Sequence, residues 1–153
     1  MMNVIRLSWL ISLAISFFGF LIVNQLFEVQ PKGASGNLGF IGFIFLFPFV
    51  LLSLFATFRY FLTAARNAKN SVKWLGIISG ILLTGFFLYF FLDIKNSIHG
   101  SIWKLDQETS RLYFDIYTFG LIHTISGVLG ALYGIIKPAA LEHARETGQT
   151  PPE

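Results

Sequence analysis

Four long apolar stretches limit what this chain can fold into. They cover residues about 4–27, 38–62, 72–92 and 112–136, and each contains a single charged side chain close to one of its ends. A helix rises 1.5 Å per residue, so about 20 apolar residues cross ~30 Å of hydrocarbon with every backbone amide paired inside the helix. The pattern therefore predicts an all-α fold, an integral membrane bundle of four transmembrane helices.

The composition agrees with a membrane protein and excludes most soluble classes. Hydrophobic residues make up 54% of the chain and charged residues 12%, well below the ~25% that is usual for soluble domains. We expect one transmembrane domain at residues 1–137 and a polar cytoplasmic tail at 138–153. The net charge of +3 comes from basic residues at the edges of the apolar stretches, not from a patch suited to nucleic acid. Because the chain has no cysteine, disulfides and thiolate metal sites are excluded.

The distribution of basic residues predicts the orientation in the membrane. The connection between the second and third stretches, together with the adjoining ends of both, contains four basic side chains and no acid: Arg59, Arg66, Lys69 and Lys73. Basic residues are retained on the cytoplasmic side, so we expect this connection and both termini to be cytoplasmic in a cell membrane. The first stretch is longer than the apolar core of a typical signal peptide and has no nearby cleavage site, so we expect it to be retained.

Small residues recur at helical spacing in every apolar stretch and predict where the helices pack. In lipid, close approach of backbones through small residues is a main source of helix association. The stripe in the fourth stretch comprises Gly120, Thr124, Gly127, Gly130, Ala131 and Gly134; the other three comprise Ser8, Ser12, Ser16 and Gly19, then Gly39, Gly42, Ser53 and Thr57, then Gly76, Gly80 and Thr84. We expect these stripes to form a compact bundle interior. Alternatively, the stripe from Gly76 to Thr84 faces a second copy or another protein.

His123 is the ionisable side chain of most interest, because it lies in the small-residue stripe of the fourth stretch, within the bilayer. As a neutral imidazole it would join helices by hydrogen bonds worth ~0.6–2 kcal/mol. We expect Thr124 beside it and the hydroxyls of Ser12 and Ser16 as its partners. The alternative is a proton-relay or ligand-binding role. No metal or cofactor is predicted, because the other histidines, His99 and His143, lie in the polar segments outside the bilayer.

Residues 93–111 connect the third and fourth stretches on the predicted outer side. Four apolar residues recur there at helical spacing: Ile94, Ile98, Ile102 and Leu105. The spacing fits an interfacial amphipathic helix, whereas Gly100 and the polar composition fit an ordinary connection, and both readings stay open. Asp115 is expected to cap or anchor the start of the fourth helix, where the helix dipole is positive.

No nucleotide-binding loop, nucleophile elbow, paired catalytic carboxylates or HExxH motif occurs in the sequence. We therefore expect a non-enzymatic, multi-pass membrane protein that acts through helix contacts as an accessory, assembly, regulatory or immunity-type subunit. Its expected partners are membrane lipids and either a membrane protein or further copies of itself. The main alternative is an oligomeric transporter or channel that uses His123 as its proton or substrate site. A third hypothesis is a lipid-directed membrane enzyme that uses Asp93, His99 and Asp115.

Overall fold

The computed structural model describes residues 2–29, 38–98 and 107–136, and within these ranges its secondary structure is all-helical. The helices are α1 Met2–Val29, α2 Leu38–Asn67, α3 Asn70–Ser97, α4 Gln107–Tyr113 and α5 Ile116–Ile136. Four helical stretches are long and apolar enough to cross a membrane, which confirms the predicted all-helical fold with four candidate spans. The last of them, Thr109–Ile136, includes most of the short α4 together with α5.

α2 and α3 are joined by a two-residue turn at Ala68 and Lys69. The carbonyl of Lys69 accepts hydrogen bonds from the N–H groups of Val72 (2.9 Å) and Lys73 (3.0 Å), which starts α3. Helices joined by so short a turn are usually packing neighbours. Here α2 and α3 each pack on α5 and share no extended interface, so they diverge from the turn.

The helices pack in the spatial order α1, α2, α5, α3, and within the described ranges α1 and α3 share no extended interface. We call the end of the bundle that contains the α2–α3 turn the proximal end, and the opposite end the distal end. Trp9 stacks on Tyr60, and Gly134 packs against Leu62, so α1 begins and α5 ends at the proximal end. The bundle is therefore open on the side between α1 and α3.

Glycines bring the backbones of α2 and α5 into contact. A Cβ atom added at Gly130 would overlap the backbone carbonyl oxygen of Phe58, and one added at Gly134 would overlap that of Leu62. Both glycines, together with Gly127, are buried. This part of the predicted small-residue stripe in α5 therefore faces α2, and the absence of side chains there sets the distance between the two helices.

The α1–α2 and α3–α5 interfaces use glycine on one helix and a large side chain on the other. Gly39 packs against the ring of Phe27, and Gly80 packs against Val128. Gly76 has nothing within 4 Å of its Cβ position. The stripe predicted in the third stretch is thus divided, since Gly80 contacts α5 whereas Gly76 borders open space.

The distal end is closed by aromatic side chains from α1, α2 and the α4–α5 region. Phe27 stacks on Phe114 with ring centroids 5.7 Å apart, and Phe43 meets the same ring edge-on at 5.6 Å. Phe20 contacts both Phe114 and Phe119, at 5.5 and 5.2 Å. These aromatic contacts join α1 to α5 at the distal end, although the two helices have only a small backbone interface.

The chain bends between α4 and α5 at Phe114 and Asp115. The carboxylate of Asp115 accepts a hydrogen bond from the N–H of Ile116 (2.8 Å), and its backbone carbonyl accepts one from Phe119 (3.0 Å), so Asp115 caps α5 as expected. Of the connection at residues 93–111, Ile94 belongs to the last turn of α3 and Ile98 follows it. Ile102 and Leu105, with His99, lie outside the described residues, and the polar tail at 138–153 lies outside them too.

Gly130→Ala should lower the free energy of unfolding by about 1–3 kcal/mol, because the added methyl group overlaps the α2 backbone. Gly85→Ala is the matched control, since open space surrounds its Cβ position and alanine favours a helix by about 1 kcal/mol over glycine. Denaturant titration of the purified protein in mild detergent measures both changes. Equal destabilisation of the two variants would contradict the α2–α5 interface described above.

Candidate functional site

His123 is buried in α5, with 6% of its surface exposed, and faces α2. Its Nδ1 lies 2.8 Å from the backbone carbonyl oxygen of Phe119, one turn earlier in the same helix. Its Nε2 lies 2.6 Å from the hydroxyl oxygen of Ser53 in α2. The ring of Phe119 lies against the imidazole with the two centroids 4.0 Å apart. Both ring nitrogens of His123 therefore have protein partners.

These contacts fix the proton positions of a neutral imidazole. A carbonyl oxygen only accepts, so the proton is on Nδ1 and is donated to Phe119. In that tautomer Nε2 accepts from the fully buried hydroxyl of Ser53 at 2.6 Å, a shorter contact than the 3.2 Å between the same hydroxyl and the carbonyl oxygen of Val50. The neutral form needs no further partner, which removes most of the cost of placing an imidazole inside a membrane bundle.

Further hydrogen bonds continue from Ser53 towards the proximal end, through its backbone carbonyl, and together with the His123 contact they join three helices. Thr57, one turn after Ser53, donates a hydrogen bond to the Ser53 carbonyl (2.7 Å). The indole N–H of Trp9 donates to the Thr57 hydroxyl oxygen (3.0 Å). We call Trp9, Thr57, Ser53 and His123 the polar seam. It links α1, α2 and α5 by directional contacts within a largely apolar bundle.

The other predicted site residues, Thr124, Ser16 and Ser12, bond to different backbone carbonyls. Thr124 lies beside His123, and its hydroxyl donates to carbonyls of its own helix, at Gly120 (2.9 Å) and Leu121 (3.0 Å). The hydroxyl of Ser16 is buried in the α1–α2 interface and donates to the carbonyl of Phe49 (2.9 Å). Ser12 bonds to the carbonyl of Trp9 in its own helix (2.9 Å). The expected contact between His123 and the hydroxyls of the first span is therefore wrong, because Ser53 of α2 is the partner.

Three members of the polar seam were not predicted as site residues, namely Trp9, Ser53 and Thr57. Ser53 and Thr57 were placed in the small-residue face of the second stretch, where their spacing of four residues already put both hydroxyls on one side of the helix. Trp9 has an indole N–H that needs an acceptor when it is buried. The sequence alone does not show that α2, and not α1, packs directly against α5.

A cavity of about 960 Å³ occupies the open side of the bundle, and we call it the lateral groove. α1 and α3 form its walls, and residues of α2 and α5, including His123 and Thr124, form its floor. Small residues create the space, namely Ala14, Ala64, Ala68, Gly76 and Gly80. The lining is otherwise largely apolar, and among the residues that the structure describes Lys73 is its one charged member.

The basic residues that predict the topology lie towards the proximal end. Arg59 and Lys69 are exposed, and the guanidinium of Arg59 lies 5.9 Å from the ring centroid of Phe55. Lys73 is half-buried at the start of α3. Asp93 is exposed towards the distal end of α3 and does not line the groove. Within the described ranges, no three His, Asp or Glu side chains come close enough to hold a metal ion.

No family model, curated protein or solved structure matches this chain. The functional interpretation therefore rests on the residues of this chain and on the contacts they make.

A double-mutant cycle on Ser53 and His123 should give a coupling energy of about 0.6–1.7 kcal/mol, the range for hydrogen bonds between membrane helices. The cycle compares Ser53→Ala, His123→Ala and the double variant by denaturant titration in detergent. Thr63→Ala replaces Ser53→Ala in a control cycle, because the Thr63 hydroxyl bonds only to Arg59 of its own helix. Additive effects of Ser53→Ala and His123→Ala would exclude the polar seam as a stabilising contact.

Proposed function

We propose that this chain is a small multi-pass membrane protein that acts through helix contacts, as an accessory, assembly, regulatory or immunity-type subunit. In this proposal the partner's transmembrane helix packs on the outward face of α3. That face comprises Ile78, Leu82, Gly85 and Tyr89, which lie on one side of the helix and are exposed.

The observation that supports this proposal is the limited packing of α3. Within the described ranges its extended interface is with α5, beside a small contact with α4, and Ile77 is its buried residue. The outward face is centred on Gly85, which has nothing within 4 Å of its Cβ position. A glycine in open space allows the backbone of a second helix to come close, which is how helices associate in lipid. The same glycine weakens a helix when it has no packing role.

Photo-crosslinking from the outward face of α3 tests this function. A photoreactive amino acid at Leu82 should form adducts with another membrane protein in native membranes. Leu51 is the matched control, because it is an exposed leucine on α2 and lies outside the proposed partner surface. Adducts with a distinct protein from Leu82 and not from Leu51 are expected. Crosslinks to lipid alone from both positions would remove the basis of the proposal.

In this proposal the protein lies in a cell membrane, with the proximal end and both termini on the cytoplasmic side. Its support is the excess of basic residues in and around the α2–α3 turn. Because the chain has no cysteine, a single introduced cysteine reports one position. In intact cells, a membrane-impermeant maleimide should label Lys95→Cys, at the distal end of α3, and should label Lys69→Cys only after permeabilisation. The reverse pattern would invert the orientation.

A second candidate is an oligomeric transporter or channel, which is supported by the position of His123 and Thr124 on the floor of the lateral groove. In that case His123 would be the proton or substrate site. The contacts of both ring nitrogens with protein groups favour a structural role instead. Liposome flux that is unchanged in His123→Ala would eliminate the transporter hypothesis, whereas flux that depends on His123 would replace the accessory role.

A further inference from the structure

The lateral groove has the dimensions of a site for one lipid chain. It follows α3 from Lys73 to Phe87, which corresponds to about 21 Å at 1.5 Å per residue. The hydrocarbon core is ~30 Å thick, so a chain from one leaflet extends over about 15 Å. The groove therefore accommodates such a chain and is shorter than a spanning helix requires. Its volume of about 960 Å³ lies in the range of known ligand sites, roughly 300–1,000 Å³.

The groove does not extend along the whole of α1. On α1 its lining runs from Trp9 to Phe18, whereas on α5 it runs from Ile116 to Ala131. Beyond it, Phe20 contacts Phe114 and Phe119 and closes the space between α1 and the α4–α5 region. On α1 the lining therefore ends where these aromatic contacts bring α1 against the α4–α5 region.

A cation lies at the proximal mouth of the groove. Lys73 is half-buried and lines the groove. Within the described residues its ammonium group has no hydrogen bond or ion pair. It occupies the first turn of α3, where the helix dipole is positive and where no acidic residue is present. A lysine in that position is unfavourable by itself, and an anion beside it would compensate both the ammonium charge and the dipole.

We propose that the lateral groove binds one anionic phospholipid from the leaflet at the proximal end, with its phosphate beside Lys73 and an acyl chain along the groove. The small residues provide the space for the chain, since Gly76 borders it without a side chain. The apolar lining matches hydrocarbon, and the one charged residue lies where the headgroup would lie. This site is distinct from the outward face of α3, so it does not depend on the proposed function.

Native mass spectrometry of the full chain in mild detergent tests the lipid site. The probes are phosphatidylglycerol, which is anionic, and phosphatidylcholine, which is not. The wild type should retain one phosphatidylglycerol in preference to phosphatidylcholine. Lys73→Gln should weaken phosphatidylglycerol binding about fivefold, as expected for one lysine near an anionic lipid surface, and should leave phosphatidylcholine unaffected. Lys69→Gln is the matched control, because Lys69 is exposed just before α3 and does not line the groove.

Gly76→Phe tests the chain-binding part of the groove, because a large side chain at this position would fill the open space. It should abolish retention of both lipids, whereas Gly85→Phe on the opposite side of α3 should not. Circular dichroism of each variant in the same detergent confirms that it is folded. Equal weakening by Lys69→Gln and Lys73→Gln, or full lipid retention in folded Gly76→Phe, would overturn the proposal. Protein adducts in place of lipid adducts from a photoreactive residue at Ala14 would show that a transmembrane helix occupies the groove.

Discussion

The backbone of α5 lies directly against the backbone of α2, and the rest of the bundle depends on that contact. Gly130 and Gly134 allow it, because any side chain at these positions would meet a carbonyl group of α2. The close approach brings the Nε2 atom of His123 within 2.6 Å of the Ser53 hydroxyl. In lipid, where apolar burial contributes little to helix association, close packing and a few directional hydrogen bonds provide the specificity.

The same arrangement leaves one side of the bundle open. Since α5 packs between α2 and α3, α3 is held away from α1, and small residues on the facing surfaces leave the lateral groove. The polar seam does not need the groove, because each of its groups is already paired inside the protein. In the part of the chain that the structure describes, a well-packed interior formed by α1, α2 and α5 is thus combined with a helix, α3, that has exposed surface on two sides. Those surfaces are where we place the lipid and the partner helix.

Much of the fold could be predicted from the sequence, because the hydrocarbon of a membrane restricts which backbone structures can form. The length and polarity of the four apolar stretches left few structures other than membrane helices, and the glycine stripe of the fourth stretch indicated the buried face of α5. The partner of His123 could not be predicted, since spacing within one helix gives no information on which other helix lies opposite at the same depth. The divergence of α2 and α3 could not be predicted, because a short turn usually joins packing neighbours. The break at Asp115 gave no clear signal within an apolar stretch. The lateral groove exists because, within the described ranges, α1 and α3 share no extended interface. No local sequence pattern reveals the absence of such an interface.

The contact between His123 and Ser53 is the most direct test of the central claim, that α5 packs on α2 and is held there by the polar seam. Solid-state NMR of the protein in lipid bilayers can measure through-space contacts of the His123 ring, with Ser53→Ala used to assign the partner signal. The account predicts a contact between the imidazole and the Ser53 side chain, consistent with the Nε2–Oγ distance of 2.6 Å. A contact with Ser12 or Ser16 of α1 in its place would contradict it.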